Sequence, residues 1–278
     1  MKRWKLGLSS TDAGTSDPVA PSAHLLLRDD VLSNLATAAE LGYQAIEIHT
    51  RETALLDLDA IKEQMDKTGV RICQVITGKL NTEGNCDLMS DKPYITDAAI
   101  EGMLKYVDMA AYLGADLVIG WVKGNVPPGG NRDRYLNRLA YNLKVINDYA
   151  ADNNVRLNIE VINRYETNVF NTVKELADFL SAHPELTQCY ILMDTFHMNI
   201  EETDFAAAFD AAGDRLGYFH VADSTRWYPG SGNLDFEKIF SLLEKSGYDG
   251  YVTVECQPHG DGKETARKAY EHLTGIMK

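Results

Sequence analysis

Eight short apolar runs recur along the chain, and a longer stretch with helical period follows each one. This alternation constrains the fold more than any other feature, because strands separated by helices pair in parallel and need both faces covered. The strand candidates are Lys5–Ser9, Ala45–His49, Val70–Thr77, Asp116–Val122, Arg156–Val161, Tyr190–Asp194, Leu216–Val221 and Tyr251–Glu255. Between and after them lie helical patterns near Asp29–Leu41, Leu58–Thr68, Thr96–Leu113, Arg134–Asn153, Thr172–Ala182, Phe205–Ala212, Phe236–Ser246 and Glu264–Met277. In the fourth, Leu136, Leu139, Leu143 and Ile146 fall on one face.

Eight such units predict an α/β chain folded as a single (β/α)8 TIM barrel across residues 1–278. A doubly wound open sheet alternates in the same way and is the competing architecture. Glycines at one kind of junction favour the repeated barrel. Gly42, Gly69, Gly114 and Gly247 each stand between a helix and the next strand, where a left-handed residue ends a helix. Asn81–Lys92 and Lys123–Asp133 read as βα loops, the segments that build the functional face of a barrel.

Charge narrows the partners. The net charge is −14, which repels nucleic acid and anionic membranes, and no basic run offsets it. No apolar stretch has the roughly 20 residues of a bilayer span. The first ten residues, with charges at Lys2, Arg3 and Lys5, lack the apolar centre of a signal peptide. The cytoplasm is the expected location. Four scattered cysteines make neither a CxxC pair nor a disulfide framework.

Parity along the strands points to chemistry. Side chains alternate between the two faces of a strand. Leu157, Ile159 and Val161 share one parity in the fifth strand, and Asn158 and Glu160 the other. The later strands repeat the division, with Asp194, His220 and Glu255 on the mixed parity expected to face the barrel axis. Four consecutive strands therefore each end in an inward-pointing group that can ligate a metal. Three carboxylates crowded together would repel one another and lose solvation, and one divalent cation resolves both problems. Three oxygens and an imidazole suit Mn²⁺ first, with Mg²⁺, Co²⁺ or Zn²⁺ as alternatives. Cys256 has the opposite parity, so a thiolate ligand is not expected. Glu47 and His49 share the inward parity of the second strand, without an assigned role.

The blocks Glu160-Val-Ile-Asn-Arg-Tyr-Glu-Thr-Asn168, Met193-Asp-Thr-Phe-His-Met-Asn199 and His220-Val-Ala-Asp-Ser-Thr-Arg-Trp-Tyr-Pro-Gly-Ser-Gly232 resemble the D-tagatose 3-epimerase branch of the xylose isomerase-like barrels. Val254-Glu255-Cys256 completes the pattern, and the longer blocks are most similar to 5-keto-L-gluconate epimerases. The resemblance runs the full length and is strongest after residue 155. It implies that Glu160, Asp194, His220 and Glu255 bind one divalent metal and that the two glutamates act as acid and base. It also implies that Glu166, His197 and Arg226 hold the substrate end nearest the ketone, and that the chain forms a dimer or tetramer. Glu166 lies six residues after Glu160, His197 three after Asp194, and Arg226 six after His220, as in that family. The D-tagatose enzymes commonly carry Gly-Glu where this chain has Ala222-Asp223.

Epimerisation beside a ketone removes a proton from one face of a carbon and returns one to the other, which suits two carboxylates flanking the substrate. The expected activity is therefore metal-dependent epimerisation of a small keto-sugar or keto-sugar acid. An acid would place a second carboxylate at the far end, for which Lys123 and Arg164 are the candidate partners. Trp121 and Trp227 are candidate pocket walls. A hydroxypyruvate-type or aldose–ketose isomerase and a non-catalytic sugar-binding barrel are the other readings. A DNA-repair endonuclease on the same barrel would need more than the seven histidines present, and a basic face. No Walker loop, GxGxxG fingerprint or GxSxG elbow occurs.

Overall fold

The computed structural model describes residues 4–14 and 23–277. Lys2 and Arg3, part of the N-terminal stretch considered above, lie outside the described residues. The strands are β1 (Lys5–Thr11), β2 (Ala45–His49), β3 (Arg71–Ile76), β4 (Asp116–Ile119), β5 (Leu157–Glu160), β6 (Cys189–Asp194), β7 (Leu216–Val221) and β8 (Tyr251–Val254). They pair in parallel in chain order, and β8 returns to β1 to close the barrel. The helices are α1 (Val31–Glu40), α2 (Leu58–Thr68), α3 (Gly78–Thr82), α4 (Pro93–Leu113), α5 (Arg132–Asp152), α6 (Val173–Ala182), α7 (Thr195–Glu201), α8 (Phe205–Ala212), α9 (Phe236–Lys245) and α10 (Gly262–Ile276). Short 3-10 turns at Thr53–Leu55, Trp121–Lys123 and Gly213–Arg215 complete the regular elements among the described residues.

Closure follows from two-sided burial. Leu157, Ile159, Ile191, Met193, Phe219, Val221, Val252 and Val254 pack outward into the large core shared with the helices. Leu192, Tyr218 and Tyr251 turn inward with Ala45, Cys73, Ile76 and Val118, forming a second core inside the barrel. That interior is partly polar, and several of its polar groups pair with one another. Asn158 donates to Gln74 across 3.1 Å, and the Tyr218 hydroxyl meets Thr253 and, at 3.2 Å, Glu47. A register shift between Ile46 and Glu47 leaves Cys73 without a β2 partner, so Cys73 and Gln74 both reach the interior.

The four junction glycines take positive φ, from 68° at Gly114 to 87° at Gly42. Gly69 and Gly114 are the left-handed caps of α2 and α4. Two short helices depart from the sequence expectation. α3 and α7 follow β3 and β6 directly, and five or seven residues are too few to show a helical period. The β4 pattern was expected to run to Val122 but stops at Ile119, because Gly120 breaks the extended conformation with ψ −115° and a 3-10 turn follows.

Candidate active site

The C-terminal ends of β5 to β8 open into a cavity of about 430 Å³, ordinary for a small-molecule site. Glu160 is the last residue of β5, Asp194 the last of β6, His220 is in β7 beside Asp194 in register, and Glu255 follows β8. All four are buried, and one ligand atom from each lies within 4.8 Å of the other three. Such proximity brings carboxylates with opposite needs together, and the local fold orients each one.

Asp194 divides its oxygens. Oδ1 accepts from the Phe196 N–H at 2.7 Å as the N-cap of α7, and Oδ2 is buried without a hydrogen bond. His220 Nδ1 is buried and lacks a hydrogen bond too, 3.5 Å from Glu255 Oε2. Glu160 needs room to stand at the mouth, and Gly120 provides it: a Cβ there would come within 3.0 Å of Glu160 Oε2. These two buried atoms without hydrogen bonds, with the carboxylates of Glu160 and Glu255, fit a divalent cation by the hard-oxygen and nitrogen character of the set. Among the described residues Glu47, His49 and Glu255 make a second such group.

Arg226 stands over these carboxylates. Its Nη2 bonds to Glu255 and lies 3.2 Å from Asp194 Oδ2, while its guanidinium plane covers Phe196 at 4.7 Å. Its backbone is left-handed, with φ 62°. The loop that imposes this conformation is organised by Asp223. The Asp223 carboxylate accepts from the N–H groups of Ser224 and Gly230 at 2.8 Å and of Leu234 at 3.1 Å. Burial raises the Asp223 carboxyl, but these backbone bonds outweigh it and hold it below the usual range. Asp223 is thereby satisfied by the loop, and Arg226 is directed into the site.

The charges reinforce one another. Burial acts to raise Glu255, yet His24, His220 and Arg226 together hold it well below the usual carboxylate range. Burial acts to lower His220, but Glu47 and Glu255 raise it well above the ordinary imidazole value. His197 Nδ1 faces the Asn163 backbone N–H at 3.4 Å and the Asn163 amide nitrogen at 2.8 Å, while its Nε2 lies 3.6 Å from Glu160 Oε1 and 3.1 Å from Arg226 Nη1. Glu166, at the rim, accepts from the Asn163 amide at 2.8 Å.

Glu160, Glu166, His197, Arg226 and Glu255 all line the cavity, with Asp194 and His220 beneath. The two candidates for a distal carboxylate lie elsewhere. Arg164 is exposed and forks onto Glu201, with Nε 2.9 Å and Nη2 2.7 Å from the carboxylate, so its donors are engaged outside the cavity. Lys123 is fully buried behind the wall, its Nζ donating to the Gly120 carbonyl at 3.2 Å, and burial lowers its pKa to about 8. Besides Arg226, Lys79 of α3 lines the cavity, 3.3 Å from Glu83. Its spacing to Glu83 was visible in sequence, but α3 was not. Trp121 lines the cavity, whereas Trp227 stacks on His259 at 3.8 Å.

Comparison with known proteins places the barrel in a family. The family described as "Xylose isomerase-like TIM barrel" matches residues 35–276. The chain is 34% identical over 224 residues to an L-ribulose 3-epimerase of Methylomonas sp. (strain DH-1), covering 80% of this chain and 76% of the relative. It is 30% identical over 227 residues to a ketose 3-epimerase of Arthrobacter globiformis, covering 78% and 74%. The crystal structure of D-allulose 3-epimerase from Methylomonas sp. in complex with D-allulose superposes with a TM-score of 0.80 at 28% identity, over 99% and 98% of the two chains. The chain is an isomerase and belongs to the xylose isomerase-like TIM barrels, among their sugar epimerases.

Proposed function

We propose that this single-barrel chain is a divalent-metal-dependent ketose epimerase that inverts the carbon beside the ketone through an enediolate, with Glu160 and Glu255 exchanging the proton. One observation carries this reading: the two glutamates stand at the ends of the outermost of four adjacent strands, on either side of Asp194 and His220, in one cavity. Glu160, Asp194, His220 and Glu255 would hold the cation. When bound, it supplies Lewis-acid stabilisation of the negative charge that develops on the substrate oxygens.

The chain's own groups divide the remaining work. One glutamate oxygen takes the C–H proton and leaves the electron pair in the enediolate. The other glutamate, entering protonated, delivers a proton to the opposite face of the same carbon. His197 and Arg226 donate hydrogen bonds to substrate oxygens at the near end, and Glu166 accepts one from a substrate hydroxyl there. The cavity walls exclude bulk water from the carbanion-like intermediate.

The charge pattern favours an uncharged ketose, such as the L-ribulose or D-allulose named for the relatives, over a keto-sugar acid. Lys79 in the cavity wall is already opposed by Glu83, and neither Lys123 nor Arg164 lines the cavity. A sugar acid would therefore bring a carboxylate to a site without surplus positive charge. Proton NMR in D₂O with Mg²⁺-loaded enzyme tests the reading against L-ribulose, D-allulose, D-tagatose, D-fructose, 5-keto-L-gluconate and hydroxypyruvate. The expected result is deuterium at the carbon beside the ketone of a ketose, together with its epimer. Interconversion of ketose and aldose instead would make the chain a 1,2-isomerase, and no exchange with any of them would reject the catalytic reading.

A further inference from the structure

Glu47 is fully buried in β2, across the barrel from β7, and its carboxylate meets a candidate metal ligand. Its Oε2 lies 2.8 Å from His220 Nε2, and the Tyr218 hydroxyl donates to the same oxygen at 3.2 Å. An ionised carboxylate only accepts hydrogen bonds, so Nε2 of His220 must carry a proton in this contact. The lone pair of a neutral His220 ring is then on Nδ1, the atom that is buried, without a hydrogen bond and turned towards Glu255. Rotating the ring by half a turn would leave both Glu47 and the ligand cluster facing the wrong atoms.

From this geometry we infer that Glu47 is a positioning residue: it fixes the tautomer and rotation of His220 so that Nδ1 is presented to the cation. The inference rests on the reading of Glu160, Asp194, His220 and Glu255 as a metal site. It makes metal affinity depend on a strand that contributes none of those four groups. Carboxylate partners of ligating imidazoles generally carry about 10–100-fold in affinity.

Glu47 also falls with His49 and Glu255 in a second group whose atoms lie within 4.8 Å of one another. Its free Oε1 is 3.6 Å from His49 Nε2. A second cation there would make Glu47 a ligand instead. The positioning role is favoured because the short contact of Glu47 is with His220 and because Glu255 is already committed to the first group.

Calorimetric titration of metal-free protein with Mn²⁺ separates these cases. Wild type should bind one equivalent. Glu47→Leu should bind about 10–100-fold more weakly, and Glu47→Gln, whose amide oxygen still accepts from Nε2–H, should recover most of the loss. Equal affinity in wild type and Glu47→Leu would overturn the inference alone. Saturation at two equivalents in wild type and one in Glu47→Leu would reassign Glu47 as a ligand. Failure of wild type to bind Mn²⁺ would overturn the metal reading itself. A measurement on the unaltered chain guards against a misfolded variant. Long-range ¹H–¹⁵N correlation of the Mg²⁺-loaded protein should show His220, assigned by its loss in His220→Asn, protonated on Nε2. Protonation on Nδ1 would exclude the proposed role.

Discussion

At the scale of single residues, the site is a balance between desolvated carboxylates and the cations that answer them. Glu160 and Glu255 are the groups from which the proposed chemistry cannot be separated. Glu160→Gln and Glu255→Gln should each lower kcat by about 10²–10⁴-fold, the usual worth of a positioned acid or base. Steady-state kinetics with parallel Mn²⁺ titration checks this, and near-normal turnover in either variant would remove the two-carboxylate scheme. Arg226 makes a different prediction, because its guanidinium lies against Glu255 and Asp194. Arg226→Ala should raise KM for the ketose without weakening Mn²⁺ binding, since a competing positive charge is removed. Weaker metal binding in that variant would show that Arg226 supports the cluster more than the substrate. His197 and Arg226 were legible only through the resemblance to the epimerase family, whose spacing from the strand-end residues they keep. Arg164 was not, because its partner Glu201 comes from α7, a helix too short to leave a periodic trace.

At the scale of elements, loops do the aiming. The Asp223–Leu234 turn follows β7, and its shape depends on three backbone N–H groups closing on one carboxylate. Asp223→Ala should cost about 1.5–3 kcal/mol, the range for hydrogen bonds to a charged group. A depressed carboxyl adds stability above its unfolded value near pH 4 and loses it as pH falls through the folded value. The gap between wild type and Asp223→Ala should thus be widest near neutrality and narrow below about pH 4. Urea unfolding across pH measures it, and a constant gap would assign Asp223 no ionised role. Helices were more legible than loops. Leu139, Leu143 and Ile146 of α5 are fully buried, as their period required, with Leu136 partly buried beside them. The hydrophobic period reports a face that must be covered, whereas a loop's path depends on contacts far away in the chain.

At the scale of the whole molecule, the barrel gathers ligand candidates from four strands into one buried cluster. An ion bound only by the folded chain stabilises it by mass action, by about 2.7 kcal/mol at a hundredfold excess over Kd. Adding Mn²⁺ to metal-free protein should therefore raise Tm, and EDTA should reverse the gain. An unchanged Tm at saturating Mn²⁺ would be inconsistent with a cation shared by Glu160, Asp194, His220 and Glu255.

Local period and side-chain parity were enough to specify the eightfold alternation, the faces of the strands and which polar residues end them. Parity alone therefore carries Glu160, Asp194, His220 and Glu255 to one end of a barrel. Closure of the barrel is what makes Glu47 meet His220, brings Arg226 back over Glu255, and sets Lys79 rather than Lys123 or Arg164 in the cavity wall. Each of these is a contact between segments distant in the chain. Burial and charge select such contacts only after closure brings the segments together.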